Sequence, residues 1–265
     1  LRVSKSIGNQ IYSLAELLWP INRSITGNGL RETLRIIKKN HIPDLKIKSV
    51  PSGSKAFDWT VPKEWEIDDA YIIDPRGKKI CNFKKNNLHV VNYSRPVNKE
   101  ISLEELDKHL HSLPEEPNAI PYITSYYKEQ WGFCIQHKLR KSLVKGKYRV
   151  CIKSKLFKGN LNYGEVILKG KKKKEIFLST YVCHPSLANN ELSGPTVTTF
   201  LVKWLLSLKN RKYTYRIIFI PETIGSLVYL SKNLKNMKKN IVAGFNITCV
   251  GDDRCYSFLP SIMAN

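Results

Sequence analysis

Tyr181-Val-Cys-His-Pro-Ser-Leu-Ala-Asn-Asn-Glu-Leu-Ser-Gly194 joins two contrasting patterns. Before it, Glu175-Ile-Phe-Leu-Ser-Thr-Tyr-Val182 is rich in β-branched and aromatic residues and reads as a buried strand. After it, Val197, Phe200, Leu201, Trp204, Leu205 and Leu208 fall at helical spacing, with one face toward a core. Ser193 suits an N-cap and Pro195 a first helical turn. The sequence therefore predicts a strand, a loop holding His184, Asn189, Asn190 and Glu191, and then a helix. Ligands in open α/β sheets gather at the carboxyl ends of strands. A histidine and a carboxylate in such a loop are ligand types that zinc takes. The plainer alternative is a structural histidine followed by ordinary turn and capping chemistry.

Two further segments repeat the arrangement. Tyr215-Arg-Ile-Ile-Phe-Ile220 reads as a continuous apolar strand covered on both faces, and it ends at Pro221-Glu222. Ile241 to Val250 reads as another buried strand, ending at Gly251-Asp252-Asp253-Arg254. Between them, Leu227 to about Met237 has helical character. Strand–helix–strand–helix–strand implies a mostly parallel sheet flanked by helices, an α/β fold. One sheet edge then collects His184, Asn190 and Glu191, then Glu222, then Asp252 and Asp253. Their convergence points to one metal-dependent site.

Earlier in the chain, residues 7–19 place Ile7, Ile11, Leu14 and Leu18 on one helical face, limited by Pro20. Residues 29–40 repeat the pattern with Leu30, Leu34 and Ile37. The polar turn between these helices holds Arg23, which could reach a site but is expected at the surface. Leu45 to Val50 alternates as a strand. From Phe57 to about Lys155 the segments shorten, prolines recur and aromatic residues become dense. This predicts a β-rich domain at 57–155, inserted into an α/β domain made of 1–56 and 156–265. Within it, Leu88 to Tyr93 reads as a strand carrying His89, a residue that could reach substrate or simply pack. Ser102-Leu-Glu-Glu105 is a capping box.

The chain has 265 residues, 42% of them apolar, and a formal charge of +22. No apolar run approaches the roughly 20 residues needed to cross a bilayer, so no membrane partner is expected. The six cysteines form no C-x-x-C pair, which suits reduced thiols in a cytoplasm. Basic residues look dispersed, apart from Lys171-Lys-Lys-Lys174. That run lies between two strand-like segments, 161–168 and 175–182, and reads as a solvated hairpin tip. No Arg-rich helix, RNA-binding aromatic motif or Cys/His finger accompanies the charge. Nucleic acid is therefore not the expected partner; the charge reads first as a lysine-rich bias spread over solvated faces, with an anionic substrate as the lesser alternative.

The strand-end residues resemble those of the zinc aminopeptidase and glutaminyl-cyclase type of metallohydrolase. The matching stretches are His184, Asn190-Glu-Leu-Ser-Gly194, Glu222 before Gly225-Ser-Leu-Val-Tyr229, and Asn246-Ile-Thr-Cys-Val-Gly251. More closely, the chain resembles bacterial aminopeptidase-like proteins linked to surface-polysaccharide biosynthesis. Ser24-Ile-Thr-Gly, Phe57-Asp-Trp-Thr-Val-Pro, Asn87-Leu-His-Val-Val, Ile120-Pro-Tyr, Trp131-Gly-Phe-Cys, Tyr163-Gly-Glu, Cys183-His-Pro-Ser and Val250-Gly-Asp-Asp-Arg carry that likeness. The resemblance implies hydrolysis of an amide or peptide bond in a small substrate. It also implies that the chain matches the first part of a longer protein with a winged-helix tail.

Departures from the parent pattern reshape the expected site. The bridging Asp falls at Asn190, the Glu-Glu pair is reduced to Glu222, and a later Asp ligand falls at Thr248. No histidine follows His184. The resemblance then implies one zinc, with His184, Glu191 and the Asn190 position as ligands and Glu222 as general base. Asp252, Asp253 and Arg254 would orient the histidine or close a turn. A relative that binds a carbohydrate or an acidic ligand without catalysis is the alternative.

Overall fold

A computed structural model of the chain describes residues 6–255 and 257–262. The elements run α1 (Ile7–Leu18), α2 (Asn28–Asn40), β1 (Lys46–Pro51), β2 (Lys55–Ala56), β3 (Trp59–Thr60), β4 (Glu64–Ile73) and β5 (Lys79–Ile80). There follow β6 (Val97–Ser102), α3 (Leu103–Asp107), β7 (Leu110–His111), β8 (Phe133–Cys134), α4 (His137–Lys141), β9 (Lys147–Phe157) and β10 (Asn160–Leu168). The last part comprises β11 (Lys172–Tyr181), α5 (Ser193–Ser207), β12 (Tyr213–Ile220), α6 (Ile224–Asn240) and β13 (Ile241–Asn246).

The main sheet has the order β1-β10-β12-β11-β13. β11 lies parallel to both β12 and β13, whereas β10 is antiparallel to β12 and to β1. The fold is thus α/β with a mixed sheet, as the element order implied. The expected hairpin between β10 and β11 does not form, because β12 sits between them. Chain adjacency favours a hairpin, but β12 pairs through its backbone on both edges, antiparallel to β10 and parallel to β11. The lysine run crosses the edge of the sheet instead. Lys171 N–H donates to the Arg211 carbonyl, and Lys172 N–H to that of Lys212.

The twofold alternation of β12 shows why this strand is central. Ile217 and Phe219 face a core with Leu30, Leu34 and Ile37 of α2 and Val202 and Leu205 of α5. Ile218 and Ile220 face the other way, against Val228 and Tyr229 of α6 and Trp65 of β4. Both faces are covered, so the strand reads as continuously apolar. Arg216 is the exception within it. Its guanidinium makes a two-pronged contact with Glu175 at 2.6 and 2.9 Å and reaches Glu165 at 2.9 Å. Lys48 meets the second Glu165 oxygen at 2.5 Å. Two cations thus face two anions, so no buried charge stands alone.

A second sheet, β5-β4-β9-β6, lies within residues 64–157. The turn between β4 and β5 is closed by Asp74, whose carboxylate accepts from the amides of Arg76 and Lys78. Ser102 caps α3 through the Glu105 amide, as its capping box predicted. The expected strand at Leu88–Tyr93 is instead a 3-10 turn at Asn87–His89 followed by an isolated bridge at Val90. The Asn86 side chain accepts from Leu88 N–H and winds the turn. The two sheets are stitched by the turn after α1. Ser24 Oγ donates to Asn92 at 2.6 Å, Thr26 Oγ1 meets the Tyr93 hydroxyl at 2.6 Å, and Trp65 N–H donates to Thr26. Arg31 on α2 reaches Glu64 and Glu66 on β4.

Candidate active site

β11, β12 and β13 are parallel neighbours, so their carboxyl ends open on one edge of the main sheet. The loop after β11 carries Cys183 and His184 and then winds into a π-helical turn at Ala188–Leu192, which runs into α5. Ser193 is therefore not the expected N-cap. Its hydroxyl donates to the Asn189 carbonyl at 2.5 Å and accepts from Val250 N–H at 2.9 Å. Asn189 in turn accepts from Gly251 N–H. These bonds fix the segment after β13 against the turn that holds Asn190 and Glu191. Gly194 permits the approach: a Cβ there would stand 2.5 Å from both the Ile247 carbonyl and Thr180 Oγ1.

His184 is held between two carboxylates. On one side of its ring, Nδ1 lies 3.1 Å from Glu191 Oε2 and 3.2 Å from Asn190 Oδ1. On the other, Nε2 lies 3.5 Å from Glu222 Oε2. Burial opposes protonation of the imidazole. The two acids and Asn190 outweigh it and raise the pKa above the ordinary histidine value. Glu191 is fully buried, and its Oε1 accepts from the amides of both Cys183 and His184. Glu222 is open, its side chain 46% exposed.

The residues expected as ligands thus converge, but not around one point. His184, Asn190 and Glu191 meet at Nδ1, in a closed environment. Glu222 stands alone at Nε2, where water can enter. Cys183 joins it there: Glu222 N–H donates to Cys183 Sγ at 3.2 Å. Ligand atoms of Cys183, His184 and Glu222 lie within 4.8 Å of one another. Thiol, imidazole and carboxylate are the three side-chain types zinc takes. Burial pushes the Cys183 thiol well above its ordinary pKa, however, so it sits there protonated. His184 Nε2 and Glu222 are thus donors of types that zinc takes, whereas the protonated Cys183 thiol is not, and Glu191 lies behind the ring.

The more distant candidates do not reach the ring. Asp252 is committed to Arg254, accepting from its backbone amide and from its guanidinium at 2.7 Å, so the pair closes an exposed turn. Asp253 is exposed in the same turn. His89 lies on the 3-10 turn, with Nδ1 2.8 Å from the Cys134 carbonyl, in the second sheet's core region.

Three neighbours of the ring were either placed elsewhere by the sequence reading or not singled out. Arg23, expected at the surface, is fully buried. Its Nε donates to the His184 carbonyl at 3.0 Å and its Nη1 to that of Leu18 at 2.7 Å. Burial pulls its pKa down to about 10, against the attraction of Glu191, and it remains a cation at neutral pH. Tyr122 brings its ring centroid to 4.9 Å from that of His184, and its hydroxyl pairs with Tyr126 at 3.0 Å. Tyr181 stands 6.3 Å from the His184 ring and accepts from Thr248 Oγ1 at 2.6 Å. The Ile120-Pro-Tyr stretch was the available signal for Tyr122. Nothing local marks Arg23 as buried.

A cavity of about 790 Å³ lies behind this loop, away from the ring. It is an apolar groove between α1 and α5, lined by Ile11, Ala15, Trp19, Leu192 and Val197. Tyr12 and Glu16 also line it.

Residues 12–265 match the family described as a domain of unknown function, DUF4910. The chain is 52% identical, over 252 residues, to a Clostridium acetobutylicum protein provisionally named for polysaccharide biosynthesis and an aminopeptidase-like domain. That match covers 94% of this chain and 56% of the relative, so the chain spans little more than half of that protein. A crystal structure from C. acetobutylicum, described provisionally as a peptidase, superposes with a TM-score of 0.89 at 52% identity, over 93% of this chain and 57% of the other. A zinc aminopeptidase from Bacillus subtilis shares the fold at 15% identity and a TM-score of 0.62, over 92% of this chain and 68% of its own. The chain belongs to the DUF4910 family, a domain of unknown function built on the zinc-aminopeptidase fold.

Proposed function

We propose that this chain carries the catalytic edge of a zinc-dependent hydrolase of amide or peptide bonds. The observation behind the reading is the placement of His184 between Glu191 at Nδ1 and Glu222 at Nε2. Zinc enzymes set a ligating histidine in this way, one nitrogen toward the ion and the other held by a carboxylate. His184 Nε2 would hold the ion, with Glu222 the open carboxylate beside it. A bound zinc would supply Lewis-acid polarisation of the scissile carbonyl and a more acidic water.

Each residue then has a defined task. Glu222, open to solvent, takes a proton from the attacking water and returns it to the departing amine. Glu191 fixes the rotation of the ring and favours the tautomer that leaves Nε2 free for a metal. Arg23 and Glu191 together hold the His184 backbone by its carbonyl and its amide. Tyr122 and Tyr181 form aromatic walls for the substrate. The substrate is a small amide-bearing molecule, and the chain's charge of +22 favours an anionic one. The relative's name supports a link to surface polysaccharide synthesis. Six free cysteines suit a reducing cytoplasm, and no helix among the described residues is long and apolar enough to cross a membrane.

A second reading rests on the groups at the same edge. Asn190 offers a neutral amide and Thr248 a hydroxyl bonded to Tyr181. Such a site could bind a hydroxyl-rich or acidic ligand without hydrolysing anything. Metal content and turnover of aminoacyl anilides separate the two. The hydrolase reading expects zinc binding that is lost in His184→Ala. It expects Glu222→Gln to keep the zinc while turnover falls by about 10²–10⁴. Turnover untouched by Glu222→Gln would refute it.

A further inference from the structure

The opposite edge of the main sheet has no assigned role. From Val166 to Gly251, about a third of the chain, fourteen lysines and arginines face three carboxylates. That segment holds half of the formal excess of +22. All three carboxylates are taken: Glu175 pairs with Arg216, and Glu191 and Glu222 flank His184. None is left to neutralise the lysines.

The fold gathers these cations. β11, β12 and β13 start at the edge away from His184, and three connections meet there. Lys169 to Lys174 enters β11, Lys209 to Lys212 enters β12, and Lys238 with Lys239 ends α6. Hydrogen bonds weld the three together. Lys171 and Lys172 donate backbone amides to Arg211 and Lys212, and Lys174 Nζ donates to the Lys239 carbonyl at 3.0 Å. Ten cations, nine of them lysines with exposed side chains, therefore share one face. Beside them the last turn of α5 presents Trp204, 56% exposed, and Leu206, 41% exposed. Arg211 fixes that turn by donating to the Leu205 and Leu208 carbonyls.

From this face we infer a docking surface for an anionic phospholipid membrane. Lysines carry compact point charges suited to a diffuse anionic surface, whereas paired readout of individual phosphates or bases favours arginine. The neighbouring tryptophan and leucine supply the apolar contact that charge alone lacks at a lipid interface. Docking is peripheral, since no described helix is long and apolar enough to span. It leaves the His184 edge pointing away from the lipid.

Co-sedimentation with phosphatidylglycerol–phosphatidylcholine vesicles tests the inference. The protein should bind these vesicles but not pure phosphatidylcholine. Binding should be lost on raising salt from about 0.1 M to about 1 M, where the screening length falls from ~10 to ~3 Å. Reversing Lys171, Lys172, Lys173 and Lys174 to Glu should weaken partition by about 100-fold or more. Reversing Lys78, Lys85, Lys128 and Lys158, which changes the net charge equally on other surfaces, should leave it within about threefold. If the first variant melts abnormally by circular dichroism, Lys209, Lys212, Lys238 and Lys239 to Glu takes its place. Trp204→Ser should also weaken partition at constant charge. No partition by the wild type overturns the inference, and so does an equal loss in both charge reversals. Tighter binding to a single-stranded DNA oligomer than to the vesicles would also overturn it and assign the face to nucleic acid.

Discussion

Arg23 Nε donates to the carbonyl oxygen of His184 at 3.0 Å, across 161 residues of sequence. The same guanidinium holds the Leu18 carbonyl at the end of α1. One buried cation thus ties the first helix, the turn that stitches the two sheets, and the loop that bears the imidazole. Arg23→Met would take the guanidinium from the His184 carbonyl and from the Leu18 carbonyl, which keeps only the Ile21 amide. We expect a loss of about 2–4 kcal/mol of unfolding free energy. Arg23→Lys should recover only part of it, because one ammonium cannot match the planar fork. Urea denaturation of the two variants checks both statements.

The sequence made the strand–loop–helix around His184 legible because strand and helix periodicities change abruptly there. It made β12 legible as a central strand but hid its chemistry. Arg216 sits in a run whose neighbours are apolar, and only pairing with Glu175 and Glu165 on adjacent strands explains it. Strand order was illegible for a similar reason. Residues 161–168 and 172–181 are adjacent in the chain, yet β12 separates them. The clustering of lysines followed from that order, so it looked like dispersion in the sequence. Glu191 was legible as a loop neighbour of His184, whereas its orientation toward Nδ1 and two backbone amides depends on the π-helical turn.

Removing Arg216 should be severe. Arg216→Met leaves Glu175 and Glu165 buried, with Lys48 still paired to Glu165 alone. The expected loss is about 3–5 kcal/mol, the range seen when one member of a buried pair is removed. Pairing Arg216→Met with Glu175→Met should recover part of that loss, since the uncompensated charge is gone. A double-mutant cycle by chemical denaturation measures the coupling.

Two glycines should behave oppositely. Gly194→Ala drives a methyl group toward the Ile247 carbonyl and Thr180, at 2.5 Å from each. We expect about 1–3 kcal/mol of destabilisation from overpacking, with the His184 loop loosened. Gly244→Ala meets nothing nearer than 3.7 Å on β13, so the alanine should be tolerated within about 0.5 kcal/mol. Thermal melts of the two proteins give the comparison.

Stability should fall on mild acidification. Burial lowers the pKa of His41, His89 and His111 from 6.5, so the unfolded chain takes up their protons first. Their contribution is present above pH 6.5 and is lost as pH falls through the lowered folded values. His184, raised from 6.5, contributes oppositely: its share is present below that value and is lost as pH rises through the folded pKa. Three groups against one give a lower urea midpoint at about pH 5.5 than at about pH 7.5. His89→Asn should flatten that dependence.

The account stands on the claim that His184 offers Nε2 to a metal while Glu191 holds Nδ1. Crystals soaked in zinc and measured across the zinc absorption edge test it most directly. An anomalous peak about 2.1 Å from His184 Nε2, on the Glu222 side, is the predicted result. A peak lodged at Nδ1 between Asn190 and Glu191, or no peak at His184 under conditions that load the protein elsewhere, would contradict it.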